Sequence, residues 1–222
     1  NLDVKKYAID NHLSTEEAGR ILRYKSFEDQ AKSRGIKDYK IAVAHNMDDN
    51  AETMLLNMVR GSGIKGLTGI MPKRDNIIRP LIKSSRAEIE EFLSAEGMEY
   101  VTDETNLSDD YTRNKIRHYI MPVCDAINEK FLLRFSELST QIAEAEDYLM
   151  VKSNEAYEMV TYLGEDGCIH IIKDKFDMLH TYLQKRIILD AIANAAGVRK
   201  DIGAVHVNLL LGLMELQVGR IV

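Results

Sequence analysis

The fold is decided by a strand-to-helix stretch, Ile41-Ala42-Val43-Ala44 followed by His45-Asn46-Met47-Asp48-Asp49-Asn50-Ala51-Glu52-Thr53. Residues 41–44 are apolar without polar alternation, which is typical of a strand that is covered on both faces in a parallel sheet. Residues 48–60 place apolar side chains at helical spacing, and glycines at 61 and 63 end the pattern. A buried strand that leads into a helix indicates an α/β layer.

The flanking sequence extends this pattern in both directions. Ser14 and Glu17 predict a capping box, and Gly35 ends the helix that it opens. Residues 70–80 predict a short hairpin, which its prolines confine to the edge of a sheet. Further predictions are a helix from a Ser85–Glu88 capping box to Gly97, a strand over 99–101, a loop over 102–111, and a helix over 113–120 that stops near Pro122.

The second half of the chain has a different, mainly helical pattern. Apolar residues step by three or four from about residue 128 to residue 164, which predicts one long helix. A short strand over 168–172 and helices over 176–196 and 204–216 follow. We therefore predict an α/β fold with a partial parallel-sheet domain over 1–126, followed by a mainly α-helical domain over 127–222.

Composition excludes several classes of protein. The chain has 222 residues, of which 45% are apolar and 29% charged, so it is neither disordered nor of low complexity. No apolar run approaches the ~20 residues that span a bilayer, which predicts a soluble protein without a membrane partner. Cys124 and Cys168 form no CxxC motif and no disulfide framework, which favours a reducing cytoplasm.

Three carboxylates gather after the strand, at Asp48, Asp49 and Glu52, beside His45. Spacings of three and four residues bring such side chains together on a helix, and ligands of open parallel sheets bind at the carboxyl ends of the strands. The cluster could hold Mg²⁺, a ligand ammonium or a proton in transit. A purely structural alternative is that Asp49 and Glu52 form a capping box while Asp48 favours the helix start.

Basic residues form two clusters in a chain whose net charge is −6. Residues 60–86 contain seven basic residues and one acid, and such a patch suits an RNA backbone as well as an ordinary solvated surface. Arg113 and Arg117 lie four residues apart, a spacing that can clamp phosphate or pair with nearby acids. The candidate binding residues are Arg60, Arg79, Arg86, Arg113, Asn114 and Arg117.

Together these motifs resemble the tRNA(Ile)-lysidine synthetase family of the PP-loop ATP-pyrophosphatase group, whose PP-loop domain is adenine nucleotide hydrolase-like. The resemblance covers nearly the whole chain. The matching pieces, in order, are Val43-Ala44-His45, Asp48-Asp49, Ala51-Glu52-Thr53, Arg60-Gly61-Ser62-Gly63, Gly66-Leu67, Arg79-Pro80-Leu81, Ser85-Arg86-Ala87-Glu88-Ile89, Asp103, Thr105-Asn106, Arg113-Asn114, Ile116-Arg117 and Leu183-Gln184-Lys185-Arg186.

The resemblance implies a two-step reaction with ATP. The C2 oxygen of the wobble cytidine in the CAU anticodon of an isoleucine tRNA is first adenylated, and the ε-amine of L-lysine then displaces AMP to leave lysidine. It implies that Asp48, Asp49 and Glu52 hold Mg²⁺ and the lysine ammonium and that one of them accepts a proton, while His45 orients the site. The arginines would stabilise charge and contact the anticodon stem, and the helical half would bind tRNA.

The resemblance also departs from the family at the start of the chain. The family's nucleotide loop, Ser-Gly-Gly-x-Asp-Ser, does not occur in the sequence, and we expect it upstream of Asn1 with a further region after Val222. This chain by itself would then lack a complete ATP site and be inactive. Two alternatives are a PP-loop tRNA thiolase and, for this stretch alone, a non-catalytic tRNA-binding module. A homodimer is a further expectation.

Overall fold

The computed structural model describes residues 3–100, 112–197 and 203–214. Its elements in chain order are α1 (Val4–Asp10), α2 (Thr15–Ser33), β1 (Ile41–Ala42), α3 (Met47–Val59), α4 (Ile64–Leu67), β2 (Lys73–Arg74), β3 (Ile77–Ile78), α5 (Arg86–Ala95), α6 (Thr112–Lys115), a π-helical turn (Ile116–Ile120), α7 (Met121–Ile127), α8 (Phe131–Val160), β4 (Thr161–Leu163), β5 (Ile169–Ile171), α9 (Lys173–Asp177), α10 (Thr181–Ala196) and α11 (Ala204–Met214). The predicted α/β class with a mainly helical second half is confirmed.

Two compact units make up the chain, Asn1–Thr140 and Gln141–Val222. The functional boundary predicted after residue 126 stays a prediction. The core of the first unit joins α3 to the π-helical turn, α7 and α8 through Ala51, Leu55, Ile116, Met121 and Phe131. This core places the arginines of residues 113–117 beside α3.

The sheet of the first unit is mixed, with strand order β1-β3-β2. Ile41 lies opposite Ile77 in the predicted parallel pairing, and β2 pairs with β3 as the predicted edge hairpin. The expectation that residues 41–44 are covered on both faces is wrong for the described residues. Ile41 is buried but Ala42 is exposed, because only one face of β1 packs against other described elements.

Helix starts agree with their local capping signals. Ser14 accepts a hydrogen bond from the Glu17 N–H, and Ser85 and Glu88 form the predicted reciprocal capping box. The predicted helix stop near Pro122 is wrong, because the chain remains helical through the π-helical turn and α7. Pro122 lies in the first turn of α7, directly after the π-helical turn.

The remaining strand and loop predictions before residue 112 have mixed outcomes. The strand predicted over 99–101 is wrong where it can be seen, since Glu99 and Tyr100 are not in a strand. Val101, the loop predicted over 102–111 and the motif residues Asp103, Thr105 and Asn106 lie outside the described residues.

The second unit packs α9, α10 and α11 around the carboxyl end of α8. Its core contains Ala156, Val160, Phe176, Ile187, Ile188 and Val207. The predicted strand at 168–172 is confirmed as β5, but its partner β4 was predicted as the end of the long helix. The single helix predicted over 176–196 is divided, because α9 ends at Asp177 and the His180 side chain caps α10. No described helix is long and apolar enough to cross a membrane.

Gly69→Ala is expected to lower the free energy of unfolding by about 3 kcal/mol. Gly69 has φ 66°, and a Cβ there would overlap Oδ1 of Asn50, which accepts the Ile70 N–H at 2.6 Å. Gly61→Ala is the matched control, since Gly61 has φ 70° with open space around it and should lose only about 1 kcal/mol. Urea unfolding followed by circular dichroism compares them, and equal losses would contradict the role given to Asn50.

Candidate active site

The start of α3 is fixed by a capping box three residues earlier than the one considered from the sequence. Asn46 Oδ1 accepts the Asp49 N–H at 2.9 Å, and Asp49 Oδ2 accepts the Asn46 N–H at 3.1 Å. The alternative that Asp49 and Glu52 form the box is therefore wrong, because the helix begins at Met47 and its third residue is Asp49. Asp49 keeps its other oxygen, Oδ1, 3.7 Å from Nη2 of Arg117.

Asp48 joins the starts of two helices. Its Oδ2 accepts the backbone N–H of Arg86 at 2.7 Å, and the adjacent Met47 N–H donates to the Ser84 carbonyl at 2.8 Å. Asp48 thus satisfies a free N–H at the beginning of α5, where backbone donors lack helical partners. The contact with Asp48 uses the backbone of Arg86, and the predicted binding role of its side chain stays a prediction.

Glu52 is the most buried member of the predicted cluster, with 1% of its surface exposed. Arg117 donates to it through two nitrogens, Nε to Oε1 at 2.6 Å and Nη2 to Oε2 at 3.0 Å. Nε of Arg113 lies 3.6 Å from Oε2. The hydrogen bond to Glu52 raises the pKa of Arg117, although burial opposes the rise. Glu52 therefore shares one negative charge between two arginines.

Thr53 is a site residue that the sequence motifs contained without indicating its role. Its hydroxyl donates to the Asp49 carbonyl at 2.8 Å and accepts from Arg113 Nη2 at 2.6 Å. The neighbouring Asn114 is buried. Glu52 and Thr53 together hold Arg113 and Arg117 against α3, and the pairing of an acid with arginines more than sixty residues away could not be found from spacing.

His45 and Arg79 form a second polar pair. Arg79 Nε donates to His45 Nδ1 at 3.0 Å, and Arg79 Nη1 donates to the Met71 carbonyl at 2.7 Å. Arg79 is 5% exposed, so the structure does not place it on the basic surface predicted for residues 60–86. Burial lowers the pKa of both side chains, and for His45 the Asp49 charge opposes the shift while Arg79 adds to it.

Other predicted residues lie apart from this cluster. Arg60 is exposed and follows the carboxyl end of α3, about 18 Å along the helix from Asp48. Lys65, Lys73, Arg74 and Lys83 are exposed as the basic patch requires. Direct contacts therefore join Asp49, Glu52, Arg113 and Arg117 in one group and His45 with Arg79 in a separate pair, and Arg60 belongs to neither.

The carboxylates do not assemble into the predicted Mg²⁺ site. In the part of the chain that the structure describes, no three His, Cys, Asp or Glu side chains converge as metal ligands. Both oxygens of Glu52 accept from Arg117, so the negative charge of this carboxylate is already balanced by a guanidinium. The donor set of Asp48, Asp49 and Glu52 does not fit a resident divalent metal.

Unfolding measurements should show the lowered pKa of His45 directly. Below its ordinary pKa of about 6.5, the unfolded chain binds a proton that the folded chain does not, so His45 should make the protein less stable as pH falls from 7 toward 5. His45→Gln should weaken this dependence, measured as urea midpoints across that range. His12→Asn, a change at an exposed histidine, is the control. Equal pH slopes for His45→Gln and the unmodified chain would contradict the interpretation.

Comparisons with known proteins show the family of the chain. The family model of the PP-loop domain matches residues 1–124, more than half of the chain. The chain belongs to the PP-loop family. All residues of the cluster around Glu52 lie within the matched segment, and the family implies ATP binding.

Three relatives of this PP-loop chain have the same name. It is 38% identical over 205 residues to the tRNA(Ile)-lysidine synthase of Caldanaerobacter subterraneus subsp. tengcongensis, covering 91% of the chain and 43% of that protein. For the Clostridioides difficile enzyme of the same name the identity is 35% over 217 residues, 97% of the chain and 46% of the relative. The tRNA(Ile)-lysidine synthase of Thermosipho africanus is 44% identical over 160 residues, which cover 70% of the chain and 36% of the relative. The predicted resemblance is confirmed, and the chain spans less than half the length of these relatives.

Proposed function

We propose that this PP-loop protein ligates L-lysine to the wobble cytidine of the CAU anticodon of an isoleucine tRNA, using ATP to form lysidine. The observation that carries the proposal is the contact set of Asp49, Glu52, Arg113 and Arg117 within a chain that matches lysidine synthases over most of its length. Because the chain spans less than half the length of those relatives, its activity, substrates and partners are tested by the experiment below.

The chemistry requires a protein group that accepts a proton from lysine. A lysine ammonium is no nucleophile, so the amine must be held and deprotonated before it attacks the adenylated cytidine. Asp49 is the candidate for both tasks, because its carboxylate is 19% exposed and Glu52 is occupied by arginine. Since ATP supplies the leaving group as a substrate, the residues of this chain orient the amine, accept its proton and balance charge.

Arg113 and Arg117 are the candidates for charge balance in this reaction. Both side chains remain partly exposed, at 36% for Arg113 and 20% for Arg117, while Glu52 and Thr53 hold them in place. Held guanidinium groups recognise carboxylate and phosphate oxygens. They suit the carboxylate of free lysine or a phosphate of the nucleotide, and the exposed lysines and arginines of residues 60–86 suit the tRNA backbone.

The test uses the complete open reading frame that encodes this chain. The purified protein is incubated with an isoleucine tRNA transcript bearing CAU, Mg·ATP and radiolabelled lysine, and label in the RNA is counted. ATP-dependent labelling is expected, and a methionine tRNA transcript with the same anticodon tests specificity. No label, with tRNA still bound and ATP still split, would favour another modification such as thiolation. Homodimer formation, Mg²⁺ dependence and cytoplasmic localisation stay predictions.

A further inference from the structure

We propose that Arg79 is a positioning residue that fixes His45 as the neutral tautomer with its proton on Nε2, so that His45 acts as a hydrogen-bond donor and not as a base. The proposal deepens the proposed function and rests on it for the kinetic consequence alone. Neither the side-chain pair nor the tautomer depends on which reaction the protein catalyses.

The direction of the Arg79–His45 hydrogen bond follows from what each group can do. A guanidinium has five N–H donors and no acceptor, and it stays protonated in proteins. Its Nε lies 3.0 Å from Nδ1 of His45, so Nδ1 must offer its lone pair. A neutral imidazole carries one proton, which therefore resides on Nε2.

The guanidinium is held by more than this one contact. Arg79 donates through Nη1 to the Met71 carbonyl at 2.7 Å and through its backbone N–H to the Pro72 carbonyl at 2.9 Å. The segment before Met71 is itself fixed, since Asn50 binds the Ile70 N–H and Ser139 donates to the Thr68 carbonyl at 2.7 Å. Arg79 is 5% exposed, which leaves it no route to turn toward solvent without breaking these bonds.

The surroundings of His45 disfavour the doubly protonated form. Burial acts most strongly against a positive imidazole, and Arg79, Arg113 and Arg20 act in the same direction; within the described part of the chain, Asp49 is the group that acts in favour. Protonation of Nδ1 would also place two N–H donors against each other. The group that remains to accept a proton is Asp49, and His45 Nε2–H suits a carbonyl or phosphate oxygen of the nucleotide substrate.

Nitrogen NMR of the chain labelled with ¹⁵N-histidine reads the tautomer. The His45 signals, identified by their loss in His45→Gln, should show a pyridine-like Nδ1 and a pyrrole-like Nε2 near neutral pH. Arg79→Gln should give a mixture, because its amide oxygen can accept from a protonated Nδ1, and Arg79→Lys should restore the single tautomer because it keeps a charged donor. Arg20→Gln removes a nearby charge but no bond to His45 and is the control.

Activity assays of the complete protein test the kinetic consequence of the His45 tautomer separately from the tautomer itself. Arg79→Gln should lower kcat for lysine incorporation at least about 10-fold with little change in the KM for lysine, and Arg79→Lys should recover part of it. A protonated Nδ1 in the unmodified chain, or an unchanged tautomer in Arg79→Gln, would overturn the proposal. If Arg79→Gln fails to fold, the nitrogen NMR spectrum of the unmodified chain still shows which tautomer His45 adopts. The expected tautomer without any lysine incorporation would refute the proposed function and leave the tautomer assignment standing.

Discussion

Glu52→Gln is expected to cost about 3 kcal/mol of folding free energy and at least about 100-fold in lysine incorporation. Glutamine has nearly the shape of glutamate, but its amide nitrogen is a donor that would face the donors of Arg117. Two guanidinium groups would then lack the negative charge that they now share at 2.6 to 3.6 Å. Breaking such a pair is costly because one side remains charged.

Glu137→Gln is the matched control for this prediction. Glu137 also pairs with an arginine, Arg134 at 2.9 Å, but both side chains are about half exposed, so the change should cost less than about 0.5 kcal/mol. Urea unfolding gives the stabilities, and the labelled-lysine assay is run at a temperature where circular dichroism shows both variants folded. If Glu52→Gln proves as stable as Glu137→Gln, the arginine pair does not depend on Glu52.

Asp49→Asn should separate activity from stability. The asparagine oxygen can still accept the Asn46 N–H, so the capping box survives and the free energy of unfolding changes by about 1 kcal/mol or less. The charge that would hold an ammonium and accept its proton is lost, which predicts a fall of about 100-fold or more in lysine incorporation. A higher KM for lysine would indicate binding of the ammonium, and a lower kcat would indicate proton transfer.

Glu88→Gln provides the comparison for Asp49→Asn. Glu88 occupies the same third helical position in the capping box of α5, where hydrogen bonds to Ser85 lower its pKa. The two variants should therefore lose similar amounts of stability while Glu88→Gln keeps its activity. If Asp49→Asn keeps its activity, Asp49 acts only in the capping box of α3.

Local signals predicted helix starts well, whereas the contacts of the site depend on packing. Ser14, Ser85 and Gly35 act through residues within four positions, so a short window of sequence contains their whole physical cause. The Asp49–Glu52 box considered from the sequence lies three residues too late, because Asn46, a good cap, stands directly before Met47, the first residue of α3. This shift of three residues makes Asp49 the third residue of the helix and leaves Glu52 on the buried side of α3.

Long-range partners could not be predicted from spacing. Arg79 belongs by sequence to an exposed basic patch, yet its guanidinium lies buried between His45 and the Met71 carbonyl. Glu52 meets Arg117 only because Ile116 and Met121 pack on Ala51 and Leu55. Charge counts along the chain contain no information about which charges will be buried together.

The π-helical turn at Ile116–Ile120 sets the rotational phase of the arginine pair. Ile116 and Met121 are five residues apart and share one core, whereas five residues of α-helix differ by about 140° around the axis. The wider turn absorbs one additional residue, which is how such turns arise within helices. Deleting one residue there would leave α7 seated in the core while Arg113 rotated by about 100° away from Glu52 and Thr53. The number of residues in this single turn thus determines the direction in which the guanidinium groups of Arg113 and Arg117 face.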